Sequence, residues 1–460
     1  MMEKKNAWLS YKKREEKAVF ALNEDYKKFL TASKTERLAV KNTIEAAEKA
    51  GFVNLETLIA EGKTVKPGDK IYAVWMKKTA ALFVIGEEPL CAGMNILGAH
   101  IDSPRLDIKQ VPLYEDKEFA YLDTHYYGGI KKYQWVALPL AIYGVIVKKD
   151  GTVVDVAIGD KPGDPVLVIT DLLPHLGADQ MKKDAGRIIE GEDLNVMIGS
   201  RPLEGEEKEA VKAQLKKFFK DTYDIEEDDF LSAELEVVPA GETRDLGMDR
   251  SLVIGYGHDD RVCAYTSLRA ILETEAPRKT SVCLLTDKEE VGSIGATGAQ
   301  SFFFENTIAE LLNLMGETNN LAVRRALANS RMISSDVSAG FDPIYPGVNE
   351  PKNSAYLGHG ICFNKFTGAR GKSGSNDANA EYVAVIRRVM EDNKVAFQTS
   401  ELGKVDQGGG GTIAYISAKY GMCVIDAGVP VLSMHAPWEV VSKADVYEAV
   451  KCYKAFLKDA

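Results

Sequence analysis

One pattern recurs along this chain and constrains its fold more than any other. Short apolar runs that read as buried strands end in residues that carry chemistry. NILGAH (95–100) runs into IDSPR, and TSVCLLT (280–286) runs into DKEEVGS. SLVIGYG is followed by HDDR, while RMISSD ends at Asp336 and PVLSMH at His435. Apolar strands alternating with helical segments predict an open α/β sheet, and such sheets collect functional groups at the carboxyl ends of their strands.

The helical segments have their own signature. Val262, Tyr265, Leu268, Ile271 and Leu272 recur at helical spacing, as do Val19, Leu22, Phe29, Leu30 and Leu38 within residues 6–50. IYAVWMKKTAALFVIG (71–86) reads as a hairpin turning at Lys77-Lys78, and KADVYEAVKCYKAFLK as an amphipathic closing helix. Residues 113–245 differ in character. They carry β-rich runs, Gly/Pro turns and the charged segment EGEEKEAVKAQLKKFFKDTYDIEEDD. With 460 residues the chain exceeds one ordinary domain. The expectation is an α/β domain in two parts, 1–112 and 246–460, around an inserted β-rich domain at 113–245.

Composition excludes several classes. A net charge of −11 with no offsetting basic stretch disfavours nucleic acid. No uninterrupted apolar run approaches the roughly 18 residues of a membrane span. The start, MMEKKNAWLSYKKREEK, lacks the apolar core of a secretory signal. The six cysteines show no Cys-x-x-Cys spacing, which suits free thiols in a reducing cytoplasm.

Two histidines, His100 and His435, and three carboxylates, Asp259, Glu290 and Asp336, fall at or just beyond strand ends. That donor set suits two Zn²⁺ ions, or Mn²⁺ or Co²⁺, about 3.5–4 Å apart with one carboxylate shared. Asp102, two residues after His100, is placed to hold its imidazole. Glu289 immediately precedes Glu290 and is expected to be the general base. Taken singly, each has an ordinary explanation: a core histidine, a solvated Glu-Glu pair, helix caps at Asp259, Asp260 and Asp336. Their joint placement, in a chain with six histidines, points to a metal-dependent hydrolase. His125, His175, His258 and His359 are expected in structural or surface roles, with a minor functional reading kept for His175 and His359.

The motifs resemble the aspartyl aminopeptidase and vacuolar aminopeptidase I family of dinuclear zinc exopeptidases. GAHIDSPRLDIK is similar to its His-x-Asp-Ser-Pro segment, and HYYGGIKKYQW to its Tyr-Gly-Gly…Trp segment. DLLPHLGADQ and EGEDLNVMIGSRP resemble its insertion motifs; DKEEVGS and MHAPWE resemble Asp-Asn-Glu-Glu-Val-Gly-Ser and Met-His-Ser-Pro. The resemblance implies a zinc-exopeptidase-like α/β/α domain with an inserted dimerisation domain, and removal of the first residue from peptides with a free N-terminus. It implies two zinc ions held by His100, Glu290, Asp336 and His435 and bridged by Asp259, with Asp260 as runner-up. It also implies a homo-oligomer, a tetrahedral dodecamer. Two departures bear on specificity: WVALPLAIYG replaces a charged family segment, and Asp179 stands where the family often has a second histidine.

The first residue accepted is expected to be Asp or Glu if Arg370 or Lys372, in FTGARGKSGSND, supplies a positive pocket, and neutral otherwise. DQGGGGTIAYISAKYG (406–421) reads as a glycine run opening a helix, able to receive an anion or simply packed closely. Competing readings are another dinuclear hydrolase (a broad tetrahedral aminopeptidase, a carboxypeptidase or a deacylase) and a non-catalytic assembly protein of the same fold.

Overall fold

The computed structural model describes residues 5–460, and the chain divides into two compact units. The first gathers the chain up to Asp102 with Thr243–Met434 and Glu439–Ala460; the second gathers Ser103–Glu242 with His435–Trp438.

A nine-stranded sheet organises the first unit. Thr280–Thr286, Met94–His100, Arg331–Ser334 and Cys423–Gly428 lie side by side and parallel at its centre. Thr79–Val84 and Ile361–Asn364 flank them antiparallel. The hairpin Lys70–Trp75 and Thr79–Val84 closes with Met76 and Lys77 in left-handed conformation.

Alternation along the central strands divides the core. Leu97 and Ala99 pack on one face with Val262, Cys263 and Phe456, whereas Met94 and Ile96 pack on the other with Ile308, Leu311 and Leu327. Helices His258–Leu272 and Lys443–Asp459 thus cover the first face, and Phe303–Leu314 with Asn320–Ala328 the second. Covering both faces is what allows these strands to carry apolar residues on both sides. Register brings their ends close together: Thr286 pairs with His100, and Ser334 with Gly98, two residues earlier. Residues just beyond these positions therefore emerge along one edge of the sheet.

Two expected strands belong elsewhere. Leu252–Gly255 and Pro430–Leu432 join a separate five-stranded sheet with Arg244–Leu246, Glu439–Ser442 and Ser338–Ala339. Their partner is the antiparallel strand Glu439–Ser442, with Val253 and Val431 both opposite Val441. A short apolar strand reads alike in either sheet, and only the pairing tells them apart. The closing helix also departs from simple amphipathicity, since it buries Lys443, Asp445 and Glu448. Each is partnered: Lys443 pairs with Asp245 at 2.8 Å, Asp445 accepts from the Gly358 and Gly360 N–H groups, and Glu448 from Tyr11 Oη. Past the glycine run, the helix Ala414–Ala418 has five residues.

The second unit is a six-stranded antiparallel sheet in the order Val153–Ile158, Leu140–Val147, Ala233–Pro239, Arg105–Asp116, Phe119–Tyr127, Val196–Gly199. Helix Ala210–Tyr223 buries Val211 and Phe219. The strand from Arg105 pairs with Ala233–Pro239, so this unit begins before the compositional change at 113. Among the described residues, no helix is long and apolar enough to cross a membrane.

Candidate metal centre

His100 ends a central strand and is buried. Its Nδ1–H donates to the Asp102 carbonyl at 3.0 Å, which leaves Nε2 without a proton and turned towards the neighbouring acids. Nε2 faces three acids: Asp259 Oδ1 at 3.2 Å, Glu289 Oε2 at 3.9 Å and Asp336 Oδ1 at 3.9 Å. Asp336 follows the neighbouring strand Arg331–Ser334. Asp259 and Asp260 open the helix His258–Leu272 with non-helical backbone, and the Asp259 N–H donates to Glu439 Oε2 at 3.0 Å.

The Glu-Glu pair occupies a single 3₁₀ turn, Glu289–Val291, entered through Lys288 in left-handed conformation. Asp102 fixes this turn. Its Oδ1 accepts the Glu289 N–H at 3.1 Å and its Oδ2 the Glu290 N–H at 3.2 Å. Asp102 Oδ1 also lies 3.3 Å from His100 Nδ1. One buried carboxylate thus ties two chain segments together, a larger task than orienting a histidine.

The donor set fits a divalent cation. Ligand atoms of His100, Asp260 and Asp336 lie within 4.8 Å of one another, and so do those of His100, Asp259 and Glu290. Burial first, then the neighbouring acids, pushes the Asp260 and Asp336 carboxyls well above the usual carboxylate range. For His100, burial opposes the charged ring, but the carboxylates of Asp102 and Asp259 outweigh it and raise its pKa. Acids crowded at this cost in repulsion are relieved by a positive ion among them.

His435 lies in the second unit, in left-handed conformation, and its Nδ1–H donates to the Gly129 carbonyl at 3.0 Å. This contact fixes the ring's tautomer, with the proton on Nδ1. Gly129 belongs to the Tyr-Gly-Gly motif, and a Cβ there would meet His435 Nδ1 at 3.5 Å.

Three contributors were not legible in advance. Glu439 holds the Asp259 backbone, the buried Arg261 donates its Nε–H to the Ile101 carbonyl at 2.9 Å, and Gly129 receives His435. Glu439 and Arg261 do stand inside MHAPWE and HDDR, so their closeness to candidate ligands was the available signal. His258 is buried against Tyr26 Oη at 2.5 Å, and burial lowers its pKa to about 3, a structural role. Lys372 pairs with Asp377 at 2.9 Å and lies 3.6 Å from the centre of the Phe366 ring.

A metal-binding cluster at the edge of an α/β sheet agrees with the sequence comparisons. Residues 29–457 match the model of the aminopeptidase I zinc metalloprotease family, M18, and the chain belongs to that family. It is 60% identical over 460 residues to the probable M18 family aminopeptidase 1 of Clostridium acetobutylicum, covering 100% of this chain and 99% of that protein. The crystal structure of an M18 aminopeptidase from Thermotoga maritima superposes with a TM-score of 0.95 at 44% identity, covering both chains fully. The mApe1 dodecamer of S. cerevisiae shares the fold, with a TM-score of 0.75, 19% identity and coverage of 94% and 95%.

Proposed function

We propose that this zinc metallo-aminopeptidase works through two divalent ions, with Glu289 as general base. The carrying observation is the convergence of Asp259, Glu289 and Asp336 on His100 Nε2 within 3.9 Å. His100, Glu290, Asp336 and Asp259 would hold the ions, with His435 as the further ligand that the family motif assigns. Asp259 is favoured over Asp260 as the shared carboxylate, because Asp260 Oδ2 is engaged by the His100 backbone N–H at 3.3 Å. Zinc in such a site polarises a carbonyl and makes water a stronger acid near neutral pH. Glu289 takes the proton of the attacking water and returns it to the leaving amine. Asp102 keeps His100 in its ligand tautomer and holds Glu289 and Glu290 in place through their backbone N–H groups.

Lys372 is already engaged by Asp377, so of the two loop cations only the exposed Arg370 remains to receive an acidic side chain, and a neutral first residue is the reading adopted. A closed homo-oligomer, the tetrahedral dodecamer, is carried over from the family resemblance and from the dodecameric yeast relative. Native mass measurement tests it. Six free cysteines fit a cytoplasmic setting. The deciding assay follows release of the first residue from Leu-, Asp- and Glu-terminal peptides, free and N-acetylated, with and without chelator. Chelator-sensitive cleavage of free peptides only is expected. Cleavage of acetylated peptides would favour a carboxypeptidase or deacylase, and a strong Asp or Glu preference would reverse the neutral assignment.

A further inference from the structure

The turn that presents Glu289 is one end of a closed loop, and its neck is a hydrogen-bonded clasp outside the ligand set. Asp287, the first residue after the strand Thr280–Thr286, and Thr297 are both buried. Thr297 Oγ1 donates to Asp287 Oδ2 at 2.6 Å, while the Asp287 N–H donates to the Thr297 carbonyl at 3.3 Å. Asp287 Oδ1 accepts the Lys288 N–H at 2.8 Å. Thr79 Oγ1, from the hairpin, donates to the same Thr297 carbonyl at 2.5 Å and ties the neck to the sheet. Inside the loop, the Ser293 N–H donates to the Lys288 carbonyl at 2.7 Å. A Cβ on Gly298 would stand 2.3 Å from the Ser293 carbonyl oxygen, so the neck closes onto the far side of the loop. Asp102 grips the turn from the His100 side and the clasp grips it from the strand side.

We propose that Thr297 is a positioning residue for hydrolysis: its hydroxyl, by closing the loop on Asp287, fixes where Glu289 stands beside His100. This rests on the general-base role of Glu289. A base displaced by a fraction of an ångström transfers its proton poorly, while substrate affinity is little affected. The variants are Thr297→Val, which keeps the shape and loses the hydroxyl, and Thr297→Ser, which restores it. For Thr297→Val, kcat should fall about 10- to 100-fold with KM within about twofold and metal content unchanged. Thr297→Ser should recover to within about threefold of the parent, and exchange of the Glu289 and Glu290 backbone amides should quicken in the valine variant alone. Unchanged kcat in Thr297→Val, or faster amide exchange with no kcat loss, overturns the proposal. Should that variant fail to fold, Thr79→Val loosens the same neck: a kcat loss at constant KM supports the clasp, and parental kcat overturns it. Glu289→Gln is assayed alongside. If it keeps turnover, the base assignment fails and amide exchange alone judges the clasp, with an unchanged rate counting against it.

Discussion

The loops that bear the acids and the loops that bear lysine and glycine are built on opposite plans. Around His100 and Glu289 each segment is held by another: Asp102 grips the Glu-Glu turn, Glu439 grips Asp259, Arg261 grips Ile101. Thr367–Asp377 is held largely from within, by Thr367 to Ser375, Ala369 to Ser373 and Lys372 to Asp377, and much of it is exposed. In Asp406–Gly411 the ends are exposed, but Gly408 and Gly409 pack so closely that a Cβ would stand 1.7 Å from the Leu402 carbonyl oxygen and 2.2 Å from that of Gly368. The difference separates two demands on one enzyme. Acids that stand close together need a rigid frame that opposes their repulsion, whereas an exposed loop without such crowding can remain adjustable.

Removing the proposed base tests the rigid side most severely. Glu289→Gln should retain metal, measured by elemental analysis, and lose about 10²- to 10⁴-fold in kcat. Near-parental turnover would place the base elsewhere.

The boundary between the two plans is Asp426, on the strand Cys423–Gly428, which accepts the Thr412 hydroxyl at 2.7 Å just past the glycine run. Burial pushes its pKa up to about 6 from the ordinary 3.8. The unfolded chain therefore ionises this group at lower pH than the folded chain does. Its contribution is present below the unfolded value and is lost as pH rises through about 6. Asp426→Asn should consequently gain about 2–3 kcal/mol relative to the parent between about pH 4 and pH 7, read from denaturant unfolding. A constant difference across that range would remove Asp426 as a buried, neutral anchor.

Asp102→Asn sharpens the frame itself. It keeps a carbonyl acceptor for one glutamate N–H and puts an amide donor against the other, so metal affinity or kcat should drop about 10- to 100-fold. Lys372→Ala makes the smallest change. With its charge already met by Asp377, KM for Leu- and Asp-terminal peptides should stay within about threefold of the parent. A selective loss for Asp peptides would move this loop into the specificity site.

Much of this architecture could be read from residue order. The runs ending at His100 and Thr286, and the one leading to Asp336, form central strands, and the structure brings Asp102, Asp259, Asp260, Glu289, Glu290 and Asp336 around His100. The runs before Asp259 and His435 were equally visible, but their membership of a second sheet was not. Asp102 was legible as a partner of His100. Its grip on two backbone N–H groups nearly two hundred positions away left no mark in spacing, and neither did the Asp287–Thr297 clasp.

The sequence by itself determined where the central strands and the long helices form and which side chains stand at strand ends, because these follow from local periodicity and from residue chemistry. Only the tertiary structure decided that Thr286 pairs with His100 and Ser334 with Gly98, so that three strand ends fall within two residues of one another in register. Adjacent ends bring a histidine and acids from distant parts of the chain within a few ångströms of one another. Burial, and after it the closeness of the acids, raises the carboxyl pKa values and makes a cation favourable there; both depend on position in space, which separation along the chain does not record.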